Sequence, residues 1–186
     1  MEILKLQRER EVLSVLKTFN TDYIDTFQFT SSVFYEFGFD RCVEFVNKMI
    51  SKGIFRYTSI TNENLDLLKK YHEFFKDKLI SHEVGYNFEV RENEIEGTIP
   101  YANLNNIKTV IFQPLRRNRT AMRNWPLLVE LAQKYGKSQN QIILAWLISK
   151  GFLPLTKSES IDHINEYIDV LNFELDAEDL NRPVAQ

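Results

Sequence analysis

The chain alternates helix-spaced and strand-spaced apolar residues from one end to the other, and that beat restricts its fold more than any other feature. Residues 2–19 place Ile3, Leu4, Leu6, Val12, Leu13, Val15 and Leu16 at amphipathic-helix spacing. After the break at Asn20-Thr21-Asp22, residues 23–29 alternate as a short strand, and residues 31–38 read as a loop. Helix spacing returns at 40–51 and stops at Gly53, a residue free to take the left-handed conformation. Strand and helix follow at 55–61 and 64–75, then a strand at 79–86, a looser stretch to Gly97 and a short helix at 99–104. Residues 108–112 are the clearest buried strand. Beyond a basic loop come a helix at 126–135, a helix opened by Ser138 and ended by Gly151, a strand at 152–155, a helix at 160–171 and an acidic turn at 176–180. Five strands, each followed by a helical segment, predict an α/β fold with a parallel sheet or barrel.

Composition narrows the functional classes. With 186 residues, 44% hydrophobic and 26% charged, the chain is predicted to be one domain, residues 1–186, with a core of its own. A formal charge of −3 provides no basic field to draw nucleic acid. No apolar run approaches the ~20 residues of a membrane helix. A lone cysteine, Cys42, and no visible signal peptide predict the cytoplasm. Cysteine and histidine nowhere take metal-ligand spacing, and neither a Gly-rich phosphate loop nor a nucleophile elbow occurs. His72 is expected on a helix surface and His82 partly buried in a strand. The sequon Asn118-Arg119-Thr120 reads as chance.

Seven stretches, in order, resemble the aldo-keto reductases. Thr21-Asp22-Tyr23-Ile24-Asp25 is similar to the segment leading into that family's fourth barrel strand, and GIFRYTSITN at 53–62 to the stretch ending after its fifth. Glu83-Val84-Gly85-Tyr86-Asn87 resembles the sixth-strand motif, and Phe112-Gln113-Pro114-Leu115 the seventh. LAQKYGKSQNQIILAWL at 131–147 is the best match; LPLTKS at 153–158 and FELDAEDL at 173–180 resemble the eighth strand and the closing helix. The resemblance implies a partial (β/α)8 TIM barrel of about five parallel strands with helices outside, truncated on its N-terminal side, since a complete barrel takes about 250 residues.

What the resemblance implies for chemistry divides in two. The family's first three strands carry its catalytic tyrosine, aspartate and lysine, and no region here matches them. Thr30, or Gln28, stands where the family has a catalytic histidine, and neither titrates near neutral pH. No catalytic residue is therefore assigned. For the cofactor, NADP(H), Thr61 and Asn62 match a pair that holds the nicotinamide carboxamide. Glu83 replaces a glutamine with the same task, and Phe112 replaces a tyrosine that stacks on the ring. Pro114 and Leu115 begin the loop that meets the pyrophosphate, followed by Arg116, Arg117, Arg119 and Arg123. Lys157 and Ser158 match the adenosine 2′-phosphate pocket just before a helix N-terminus, with His163 in place of an arginine. Glu166 matches an adenine contact, with Tyr167 in place of an asparagine.

The expectation is an NADPH-dependent carbonyl reductase by family that is inactive as an isolated chain. The alternative is a non-catalytic nucleotide-sensing or protein-interaction module. Five strands cannot close into the same barrel. Phe27, Phe29, Ile60, Val84, Val110 and Phe112 are thus expected as exposed apolar surface, covered by homo-oligomerisation, a partner chain or a rearranged N-terminus.

Overall fold

The computed structural model describes residues 2–182, apart from the side chains of residues 2–8 and Ser31. Ile3, Leu4 and Leu6 thus lie outside the described side chains. Five parallel strands form one open sheet in chain order: β1 (Ile24–Thr30), β2 (Phe55–Thr61), β3 (Leu79–Gly85), β4 (Lys108–Phe112) and β5 (Leu153–Pro154). In register, β1 pairs with β2 from Ile24 opposite Phe55 to Thr30 opposite Thr61, and β4 with β5 through Val110–Leu153 and Ile111–Pro154. The expected partial-barrel class with helices between the strands is what the chain adopts. Contacts gather into two compact units, Met1–His82 and Glu83–Gln186.

The first unit holds helices α1 (Glu2–Phe19), α2 (Ser31–Phe37), α3 (Phe39–Ser51) and α4 (Leu65–Phe75). Its core is aromatic. Phe27 stacks on Phe55 at 4.4 Å, Phe45 meets both edge-on, and Phe34 packs on Phe29, Phe39 and Tyr71. Thr58 and Tyr71 form a polar pair within it. The Thr58 hydroxyl donates to the Phe27 carbonyl at 3.0 Å, which spends its only proton, so the Tyr71 hydroxyl, 2.7 Å away, donates to Thr58. Burial pushes the Tyr71 phenol well up, so it stays protonated. Glu9 takes Lys48 and Lys52 and ties α1 to α3; these bonds hold its carboxyl below the usual range.

Residues 31–38, read from sequence as a loop, fold instead as helix α2 up to Gly38. The cause is tertiary, because Phe34 is buried among rings brought from three other elements. The expected exposed surface also needs correction. Phe29, Ile60 and Val84 are buried, while Phe27, Val110 and Phe112 are only half-buried. Phe29 lies edge-on to Phe27, β2 is buried on both faces from Thr58 to Thr61, and Val84 joins the core of the second unit.

The second unit holds α5 (Glu92–Ile95), α6 (Thr98–Leu104), α7 (Arg119–Met122), α8 (Pro126–Tyr135), α9 (Gln139–Ser149), α10 (Ile161–Ile168) and α11 (Ala177–Leu180). Its centre is α9, buried on every side from Gln141 to Leu147, which explains why that stretch is apolar all round. Ser138 and Gln141 close a capping box at its start. Trp146 stacks with Tyr86 at 5.7 Å and touches Phe88. Lys134 and the Tyr135 hydroxyl both donate to Asp179 at 2.7 Å, locking α11 to α8 and lowering the Asp179 carboxyl. β5 is shorter than its sequence suggests. Pro154 has no N–H for the ladder, and Leu155 N makes one last bond to the Ile111 carbonyl at 2.8 Å.

His82, expected to be partly buried, is 2% exposed, and burial pushes its imidazole down to about 4. The folded state thus holds it neutral over a range in which the unfolded chain, with a pKa of about 6.5, binds a proton. Stability is full above that value and falls as pH drops towards 4, by at most about 3 kcal/mol from this group. Urea unfolding at pH 7, 5.5 and 4.5 should show this loss, and His82→Leu should reduce the slope above pH 4.5. An unchanged slope would assign the loss to carboxylates.

Candidate cofactor site

In the first unit the expected residues lie at the C-terminal ends of strands. Thr61 closes β2 and is buried; Asn62 turns the chain at φ 55° and is exposed. Asparagine tolerates that left-handed conformation, and the turn delivers Asn64, whose Oδ1 accepts from Leu67 N and caps α4. At the end of β1, the Thr30 hydroxyl bonds to that of Ser32 at 2.8 Å, and Gln28 accepts from Ser59 at 2.8 Å. Both are polar, and neither can release a proton near neutrality.

In the second unit Glu83, two residues before the end of β3, and Phe112, at the end of β4, are both half-buried. The Phe112 ring lies across Gly85: a Cβ built there would meet its Cζ at 3.2 Å. The glycine therefore leaves the place the ring occupies. Pro114 and Leu115 are buried and lead into the loop.

That loop differs from its sequence expectation. Gln113, Arg116, Arg117, Asn118 and Asn124 all have positive φ, three of them in succession. For residues other than glycine such backbone costs of the order of 1 kcal/mol each and needs support from its surroundings. Glu89 gives that support. Its carboxylate accepts from Arg116, from Thr120 Oγ1 at 2.8 Å and from Arg123 at 2.8 Å. Burial works to raise the Glu89 carboxyl, and the bonds from Thr120 and Arg116 with the nearby cations outweigh it, leaving it lowered. Two of the four arginines expected to face a pyrophosphate are thus paired with Glu89, Arg116 partly covered and Arg123 still exposed. Arg117 and Arg119 are exposed. Sequence reasoning missed Glu89, although an acid just beyond the Glu83–Asn87 motif, followed by a run of arginines, was a signal. Asn87 aims it by accepting from Glu89 N and Val90 N.

The remaining residues gather at α10. Lys157 is exposed and pairs at 3.4 Å with an equally exposed Glu159. The Ser158 hydroxyl turns back on Ser160, whose own hydroxyl caps α10 by accepting from His163 N. The His163 ring is exposed and lies nearly parallel to Tyr167, 6.2 Å away. Glu166 accepts from Ser138 Oγ, so the expected adenine contact is engaged within the protein. Among the described residues no cluster of His, Cys, Asp or Glu can hold a metal. No helix among them is long and apolar enough to cross a membrane.

A sequence profile of the aldo/keto reductase family matches residues 7–184. The chain belongs to that family. Methylglyoxal reductase YeaE of Escherichia coli is 25% identical over 170 residues, covering 89% of this chain and 59% of that protein. The NADPH-dependent alpha-keto amide reductase of Saccharomyces cerevisiae is 23% identical over 177 residues, covering 90% and 56%. Among crystal structures, the thermostable aldo-keto reductase Tm1743 superposes with a TM-score of 0.81 at 25% identity, over 92% of this chain and 62% of that one. A point mutant of Gox0644 in complex with NADPH superposes at 0.80 with 15% identity, over 95% of this chain and 62% of that one, a likeness of fold. The chain spans about three-fifths of the length of these relatives.

Replacing Glu89 by Ala should release Arg116 and Arg123 and leave the left-handed run unsupported. We expect a loss of about 1–3 kcal/mol in urea unfolding. Tryptic cleavage at Arg116–Arg119 should also become faster under native conditions. A loop that stays equally resistant would show that it is held by other contacts.

Proposed function

We propose that this chain is the cofactor-carrying part of an NADP(H)-dependent oxidoreductase, one that grips the nucleotide mainly by its adenosine 2′-phosphate. Lys157 is the observation that supports this most. Its partner Glu159 is fully in water, where such a pair contributes at most about 1 kcal/mol, so a phosphate dianion can displace it. Ser158 and the start of α10 stand beside it, and a helix N-terminus favours an anion. Phe112 is half-buried, and a phenyl ring can stack on a nicotinamide. The roles of Thr61, Asn62, Glu83, Pro114 and Leu115 rest on the family resemblance alone. His163 and Glu166 suit the adenosine end less well than their family counterparts, the first lacking a guanidinium fork and the second already held by Ser138.

Bound nicotinamide supplies hydride, and the carbonyl oxygen that receives it must then take a proton. Thr30 and Gln28 cannot give one. The chain alone therefore binds without turning over, and carbonyl reduction needs a proton donor from another chain or segment. The single, buried Cys42 fits a protein of the reducing cytoplasm. The second reading, a nucleotide-sensing or interaction module, is favoured by the bare outer face of α10, where every residue of the helix escapes full burial.

Calorimetric titration tests the cofactor assignment. We expect saturable NADPH binding, weaker NADH binding, and a loss of about tenfold in NADPH affinity alone in Lys157→Ala. Methylglyoxal, the substrate in the name of the Escherichia coli relative, should not be reduced by the isolated chain. Equal affinity for both cofactors, unchanged in Lys157→Ala, would contradict the assignment.

A further inference from the structure

We propose that Arg116, Thr120 and Arg123 form a diphosphate site that Glu89 fills from within, an autoinhibitory contact that keeps the pyrophosphate of a bound cofactor off the two arginines. It rests on the cofactor reading above and adds the regulation of that site. The carboxylate lowers affinity for the diphosphate and leaves the grip on the 2′-phosphate untouched.

All three donors come from one loop within the second unit and meet on one carboxylate. Two guanidiniums and a hydroxyl converging in this way suit phosphate oxygens as well as carboxylate oxygens. The backbone is bent to bring them together: Arg116, Arg117 and Asn118 are left-handed in succession, although none is glycine. The acid comes from a different segment, the turn after β3 that Asn87 shapes by accepting from Glu89 N and Val90 N. The Glu89 side chain is 9% exposed, whereas those of Arg116 and Arg123 are 28% and 57% exposed. Solvent thus reaches the cations and hardly reaches the acid. A dissolved anion can approach these arginines, but it must compete with a carboxylate already in place.

Sheet register brings this loop to the proposed grip. β4 and β5 are parallel neighbours, with Ile111 opposite Pro154, and Leu155 N donates to the Ile111 carbonyl at 2.8 Å. The loop after β4 and the Lys157–Ser158 segment after β5 therefore leave the same end of the sheet, from strands about 5 Å apart. A dinucleotide held at Lys157 has its pyrophosphate close enough to reach the neighbouring loop. Asn118 and Asn124 accept from Asn140 and Gln139 at 2.9 Å, so the loop keeps a hold on the start of α9 when Glu89 lets go.

Glu89→Gln tests the contact, because the amide can still accept from Thr120 but no longer holds two cations. Calorimetric titration of the full chain with inorganic pyrophosphate should show binding about tenfold tighter in Glu89→Gln than in the unaltered protein. Adding Arg116→Met and Arg123→Met should abolish the gain. Glu89→Asp keeps the charge and shortens the reach, so it should show a smaller gain in the same direction. A carboxylate with only a structural role predicts the opposite, a looser loop and equal or weaker binding. That result in both Glu89 variants, or a gain that survives the loss of both arginines, would overturn the proposal. Inorganic pyrophosphate has no adenosine end, so this titration and that with NADPH can fail separately.

Discussion

A parallel sheet gains its stability from being covered, because each strand presents apolar side chains on both faces and each unclosed edge presents bare backbone groups. Five strands in chain order, without closure, leave two such edges in this protein. The two edges differ. β5 is two residues long and contains Pro154, which cannot donate to a neighbour, so that edge is blunted. β1 is seven residues long and offers a full edge. The chain lowers the cost of an open sheet by burying more of its strand residues than their pattern suggests. Phe29 and Ile60 are sealed within the first unit, and Val84 within the second. Large apolar side chains stay exposed on helices, among them Ile161 and Leu104, and on the edge strand β5 at Leu153.

The same economy shapes the loop after β4. Four arginines in eight residues would repel one another and leave a left-handed run without support. Glu89 converts two of them into structure, at the expense of cations that an anionic ligand could have used. Arg117, Arg119 and Lys157 are exposed and lie outside the Glu89 cluster. The proposed grip accordingly lies at the adenosine end, where a helix start and an easily displaced surface pair are available.

The strand–helix beat was legible in the sequence because it rests on local periodicity. All five strands and the long helices fall within a few residues of where their spacing puts them. The all-apolar α9 and its capping serine are equally plain. Three things were not legible, and each depends on distance along the chain. α2 forms because Phe34 finds rings from β1, α3 and α4. Arg116 and Arg123 are paired because Glu89, 27 residues before the first of them, reaches the loop. Glu166 is engaged because Ser138, 28 residues before it, reaches its carboxylate. Of the candidate site, strand-end positions such as Thr61, Asn62 and Phe112 were readable, while the commitments of the charged side chains were not.

The adenosine 2′-phosphate is the part of the cofactor that we propose this chain holds. Phosphorus NMR of NADPH titrated with the protein observes that group directly, since its 2′-phosphate and pyrophosphate resonances are separate. With the grip at the adenosine end, the 2′-phosphate signal should shift and broaden while the pyrophosphate signals move little. Movement confined to the pyrophosphate, or no movement of either at protein excess, would contradict it.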